Sequence, residues 1–208
     1  LAANFKNWRK KARRILRENN VEKYNKKVFA QKLEILKTLS NKKQKEFLVS
    51  LQKECLKTGV VVVYVPNMKN TFFGGATLWI GNRPIILLKV ENQWEDIFWF
   101  NFFHEVGHVL KHSKKEIFID FDKDGTKENV EIEADEFAEK KLIPDFEKIS
   151  RQIEKGLSVA QWINIISKKA GISKSIVAGR LCNMLSFKNT WKILNQYRPT
   201  IKEKVSFI

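Results

Sequence analysis

Three histidines, the only ones among 208 residues, stand four residues apart at His104, His108 and His112. The run that leads into them, Ile97-Phe98-Trp99-Phe100-Asn101-Phe102-Phe103, is strongly apolar. At 3.6 residues per turn, side chains four apart share one helix face about 6 Å from each other. The spacing therefore predicts a buried helix from Trp94 to about Lys111 that points two imidazoles at one place. Buried rings without partners would be costly, and a single divalent metal ion satisfies both. Glu105 follows the first histidine, rotated about 100° round the helix. Its carboxylate then stands beside the ion, where a general base takes a proton from a metal-activated water. The motif reads His104-Glu105-Val106-Gly107-His108. Gly107 costs roughly 1 kcal/mol against alanine inside a helix, so close approach by another segment is expected there.

A catalytic zinc site takes three protein ligands and keeps one position open. His112 lies two turns beyond His104, about 12 Å along the axis, and no straight helix lets it share the ion with the other two. It is expected to play a structural or supporting part. A helix over about 128–142 is the better source of the third ligand, because it carries Glu131, Glu133 and Asp135. Glu131 and Asp135 are one turn apart on one face, so one can bind the metal while the other fixes a ligand imidazole by a hydrogen bond. Ile132, Ala134, Phe137, Ala138, Leu142 and Ile143 are expected to fill the inward surface. Glu133 points elsewhere and is the fallback ligand.

The rest of the chain reads as an α+β fold: a small three-stranded, largely antiparallel sheet packed against a zincin-like helical domain. Residues 4–58 are helical by apolar periodicity, with Trp8, Ala12 and Ile15 in one stripe and Phe29, Leu33, Leu36 and Leu39 in another. Ser40 is a candidate cap for a third helix, which Gly59 stops. The β-branched run Val60–Val65 reads as a strand. Ala76–Ile80 and Ile85–Leu88, separated by Gly81-Asn82-Arg83-Pro84, read as a hairpin. A short strand is expected at 117–121, a helix cap at Ser158, another at Ser173, and a break at Gly171. Three regions result: an N-terminal helical region (1–58), a metal-binding core (59–155) and a C-terminal helical region (156–208).

The formal charge is +16, but the lysines are spread along the chain, mostly as pairs on faces that read as solvated. The densest cluster, Lys6 to Arg17, could meet phosphates. Two distant cysteines, Cys55 and Cys182, form neither a disulfide framework nor a Cys-based metal site, and suit a reduced, cytoplasmic protein. No apolar run reaches the roughly 20 residues of a membrane span, so no membrane partner is expected.

These residues resemble the ImmA/IrrE family of bacterial metallopeptidases. The likeness rests on His104 to His112, then Glu131-x-Glu133-Ala134-Asp135-x-Phe137-Ala138, then Leu142-Ile143-Pro144. Gly75-Ala76-Thr77 with Trp79, Asp96 to Phe100, Gly171-Ile172-Ser173 and Gly179-Arg180-Leu181 resemble the version fused to HigA-like antitoxin regulators. It covers roughly residues 55–185. The resemblance implies a thermolysin-like Zn2+ site with His104, His108 and Glu131 as ligands and Glu105 as base. Asp135 supports a ligand from behind, where the family often has Asn. It implies a protein substrate, a repressor or antitoxin-type regulator, whose cleavage relieves transcriptional repression. Contact with DNA would come only through an upstream helix-turn-helix domain outside this sequence. The competing expectation is a metal-holding but catalytically idle regulatory module. Tyr64 and Arg180 are the candidate oxyanion donors, and the segment Gly74 to Ile80 is a candidate edge for strand addition by substrate.

Overall fold

Beta-branched side chains favour extended backbone, and the valine run forms β1 (Val61–Val65). All five residues of β1 are buried, which explains why the run is continuous and not alternating: both faces of the sheet are covered. β2 (Gly75–Ile80) and β3 (Arg83–Lys89) make the expected antiparallel hairpin, with Thr77 opposite Ile86. β3 is central, and β1 lies on its other side in parallel, with Val61 opposite Ile85. The sheet is therefore mixed, and only its hairpin half matches the antiparallel expectation. A two-residue turn obliges neighbouring strands to run in opposite directions, but it says nothing about a strand that arrives through a longer connection.

The computed structural model describes residues 2–19, 21–66, 74–112, 125–152, 156–184 and 188–203. Its helices are α1 (Ala2–Glu18), α2 (Lys26–Thr38), α3 (Gln44–Leu56), α4 (Glu95–Lys111), α5 (Gly125–Leu142), α6 (Phe146–Gln152), α7 (Val159–Ala170), α8 (Lys174–Met184) and α9 (Lys188–Asn195). The strand expected at 117–121 lies outside the described residues. α1 lays Trp8, Ala12 and Ile15 on one face of the sheet, against Val61, Val63, Ile85 and Leu87. The other face (Val62, Tyr64, Ile86 and Leu88) joins a larger cluster with Phe29, Phe47, Phe98 and Trp99. That cluster runs from Phe29 to Ile201, so helices on both sides of α4 share one core. α4 passes through its middle, with Phe98, Trp99, Phe102, Phe103 and Val106 fully buried. No described helix is long and apolar enough to cross a membrane.

Local signals fared unevenly. Ser158 caps α7 in a reciprocal capping box with Gln161, and Gly171 ends that helix in the left-handed conformation. Ser40 does not cap α3, which starts at Gln44 behind Lys43. Its hydroxyl donates to the Lys37 carbonyl and accepts from the Ser173 amide, tying the end of α2 to the start of α8. Ile132, expected inside, is 48% exposed, while Ala134 and Ala138 carry the inward face of α5.

α5 lies along α4, and Gly107 sets how closely. A Cβ at Gly107 would sit 3.1 Å from the Ala134 Cα and 3.4 Å from the Phe137 Cβ. Gly107→Val is expected to destabilise the fold by about 1–3 kcal/mol through overpacking. Chemical denaturation would measure it, and an unchanged midpoint would show that the two helices do not need this approach.

Candidate metal centre

The turn of α4 that carries His104 and His108 faces the inner side of α5. The two imidazoles are brought together as their spacing predicts, with Nε2 atoms 2.9 Å apart. Glu131 reaches the same point from α5, its Oε2 2.9 Å from His104 Nε2 and 3.4 Å from His108 Nε2. Two imidazole nitrogens and one carboxylate oxygen thus converge as a group able to hold a metal ion. Two nitrogens and one oxygen at such spacing fit a divalent cation of intermediate softness.

The far nitrogens of both rings are also held. His104 Nδ1 lies 2.7 Å from Asp135 Oδ1, so of the two acidic residues one turn apart, Glu131 faces the ligand point and Asp135 stands behind the ring. His108 Nδ1 lies 2.9 Å from His112 Nδ1, and His112 Nε2 lies 3.3 Å from Glu133 Oε2. For His108 Nε2 to offer its lone pair to a cation, Nδ1 must carry the hydrogen and donate it to His112. His112 then has its own hydrogen on Nε2, directed at Glu133. The fallback carboxylate therefore stands apart from the ligand group, at the end of this chain.

The charges fit a cation. Burial opposes protonation of His104, yet hydrogen bonds to Asp135 and Glu131 outweigh it and lift the pKa from 6.5 to about 10. Burial also works against the Glu131 carboxylate, but hydrogen bonds with His104 and His108 bring its pKa down to about 2. With carboxylates on both ring nitrogens, His104 needs either two protons or one proton and a cation. Metal binding at pH 7 is accordingly expected to release about one proton per ion. Calorimetry in buffers of different ionisation enthalpy would detect it, and a buffer-independent heat would contradict this assignment.

Glu105 sits next to the ligand group and is 5% exposed. The Thr77 hydroxyl, on β2, donates to Glu105 Oε2 at 2.7 Å. Gly75 leaves room for the other oxygen: a Cβ there would fall 2.8 Å from Glu105 Oε1. Burial is the main cause of a pKa raised from 4.5 to about 7, partly offset by the neighbouring His108 and His104. A carboxylate poised near neutrality, oriented by a hydroxyl, is a group that can take up and return a proton. The sequence places Thr77 and Gly75 only within the candidate substrate edge Gly74 to Ile80 and does not tie them to Glu105. The available signal was a lone hydroxyl in an otherwise apolar strand, preceded by a glycine that the strand does not favour.

Over residues 55–181, more than half of its length, the chain matches the Peptidase M78 family, the IrrE N-terminal-like domain. The chain belongs to that family. No curated protein matches it. The M78 match includes α4, the ligand-bearing turns of α5, and the sheet that carries Thr77. Neither side chain considered for oxyanion binding is free in this M78 domain. Tyr64 is buried and donates its hydroxyl to the Leu48 carbonyl, and Arg180 is paired with Glu139. Both cysteines are free, Cys55 buried and Cys182 partly so.

Proposed function

We propose that the chain is a zinc-dependent endopeptidase, with His104, His108 and Glu131 as ligands and Glu105 as general base. The observation that carries this reading is the meeting of those three ligand atoms beside a buried, hydroxyl-oriented carboxylate. When bound, the ion supplies the Lewis acidity that polarises a scissile carbonyl and acidifies a water. Glu105 accepts the proton and delivers it to the leaving amine, while Thr77 keeps the carboxylate aimed during both transfers. Asp135 and the His112–Glu133 chain hold the two ligand rings in place. The substrate backbone adds along β2, an edge strand of the sheet among the described residues, whose Thr77 and Gly75 lie against Glu105.

By its resemblance to ImmA/IrrE proteins, the substrate is a DNA-binding repressor or antitoxin-type regulator, and cleavage relieves repression. Two free thiols suit a cytoplasmic setting. Incubating the zinc-loaded chain with candidate repressors tests the reading. Expected are discrete fragments that vanish on chelation and return with added zinc. A folded, zinc-loaded chain that cuts none of them, yet changes promoter occupancy when joined to a DNA-binding region, would be an idle regulatory module instead.

A further inference from the structure

α1 carries seven lysines and arginines and one carboxylate, Glu18. Six of the seven, Lys6, Arg9, Lys10, Arg13, Arg14 and Arg17, are exposed. At about 100° per residue they fall within an arc of roughly 140°. That arc stands opposite the stripe of Trp8, Ala12 and Ile15, which is buried against the sheet. Solvated helix faces ordinarily mix the two signs at four-residue spacing. Here Lys6–Lys10, Arg9–Arg13, Lys10–Arg14 and Arg13–Arg17 are like-charged pairs at that spacing, and each destabilises the helix. Glu18 offsets only Arg14, at 2.8 Å. Among the described residues no ion pair reaches the other five. The buried stripe fixes this repulsive face on the sheet, so a polyanion meets cations already held in an array.

The chemistry of the face selects the polyanion. Four of the six exposed cations are arginines, whose planar guanidinium matches a phosphate with two parallel hydrogen bonds. From Lys6 to Arg17 the array runs about 16 Å along the helix axis, and a DNA duplex presents one charge per roughly 1.7 Å of its own axis. A single strand gains from aromatic rings on which its bases stack, and a bilayer gains from apolar side chains that sink into it. The exposed arc offers neither, because the partly buried Phe5 and Leu16 also pack towards the sheet. The metal centre lies across that sheet. On β2, Ala76 and Leu78 join the cluster under α1, while Thr77 between them faces Glu105 on α4. A duplex held by α1 therefore does not cover the ligand residues.

We propose that the outward face of α1 binds duplex DNA through its phosphates, without reading sequence. This contact is made by the chain itself, beside any made by the upstream domain that the family resemblance implies, and it does not depend on the peptidase reading. Fluorescence anisotropy of short labelled duplexes titrated with the full chain tests it. Expected is a dissociation constant of roughly 10⁻⁴–10⁻⁶ M, with a log–log slope against salt of about −4 to −5 for about five neutralised phosphates. Two duplexes of unrelated sequence should bind within about threefold of each other. Arg9→Gln, Arg13→Gln and Arg17→Gln alter exposed side chains, so far-UV circular dichroism should match wild type. Each alone should reduce the slope by about one, and the three together should weaken binding about tenfold or more at about 0.1 M salt. Lys42→Gln, Lys43→Gln and Lys45→Gln together remove the same charge from another exposed site, and should change binding by less than about threefold. No binding, a flat salt response, or equal losses in the two triple variants overturns the proposal. So does a preference of more than about tenfold between the two sequences, or tighter binding to phosphatidylserine vesicles than to duplex at equal salt. None of these outcomes bears on the peptidase reading.

Discussion

Glu105→Gln is expected to lower kcat for peptide hydrolysis by roughly 10²–10⁴, the usual contribution of a positioned general base. The amide keeps the shape of the side chain, and its carbonyl oxygen can still accept the 2.7 Å hydrogen bond from Thr77. What it cannot do is take a proton. Zinc affinity should remain within a few-fold of wild type, since Glu105 is not among the converging ligand atoms. A stability signature accompanies the change. The folded-state pKa of about 7 lies above the ordinary 4.5, so the folded chain holds this proton more tightly than the unfolded one. The resulting stabilisation is complete below pH 4.5 and is lost as pH rises through 7. In the metal-free protein, Glu105→Gln should flatten that part of the stability profile. Unchanged hydrolysis in the glutamine variant would show that another group moves the proton.

The second large effect is Glu131→Ala, which should weaken zinc binding by more than the 10–100-fold typical when a supporting residue behind a ligand is lost. The carboxylate lies 2.9 Å from His104 Nε2 and 3.4 Å from His108 Nε2, and its removal leaves two donors where three converged. Competition against a chelator of known affinity, paired with the metal content of the purified protein, reads the loss. Glu133→Ala is the informative control. Its carboxylate touches His112 and not the ligand point, so its effect should be confined to that smaller outer range. If Glu133→Ala were the more damaging of the two, the roles of these carboxylates would have to be exchanged.

The contrast between the two glutamates shows how far periodicity reaches. Residues 131 and 133 are both acidic and both on α5. Helical spacing alone groups Glu131 with Asp135 on one face, but it does not say which of the two meets the histidines. That depends on how far α5 is slid and rotated against α4. The close approach of Ala134 to Gly107 fixes this register and delivers Glu131 to the ring nitrogens, Asp135 behind His104, and Glu133 to His112. Gly107 hinted at the approach through its helix penalty, but the approaching residue could not be named from it.

What the amino-acid order determined was local. Four-residue spacing put His104 and His108 on one face, the turn residues Gly81-Asn82-Arg83-Pro84 announced the β2–β3 hairpin, and the β-branched run Val60–Val65 announced a strand. Each follows from backbone geometry over a few residues. The tertiary structure alone decided that β1 runs parallel to β3, that Ser40 bridges to α8 instead of capping α3, and that Thr77 and Gly75 shape the setting of Glu105. It also decided that Asp96 and Arg198, 102 residues apart, meet as a buried ion pair. These are meetings between distant segments. They depend on which packing buries the most apolar surface without stranding a polar group, a property of the whole core that no short stretch contains.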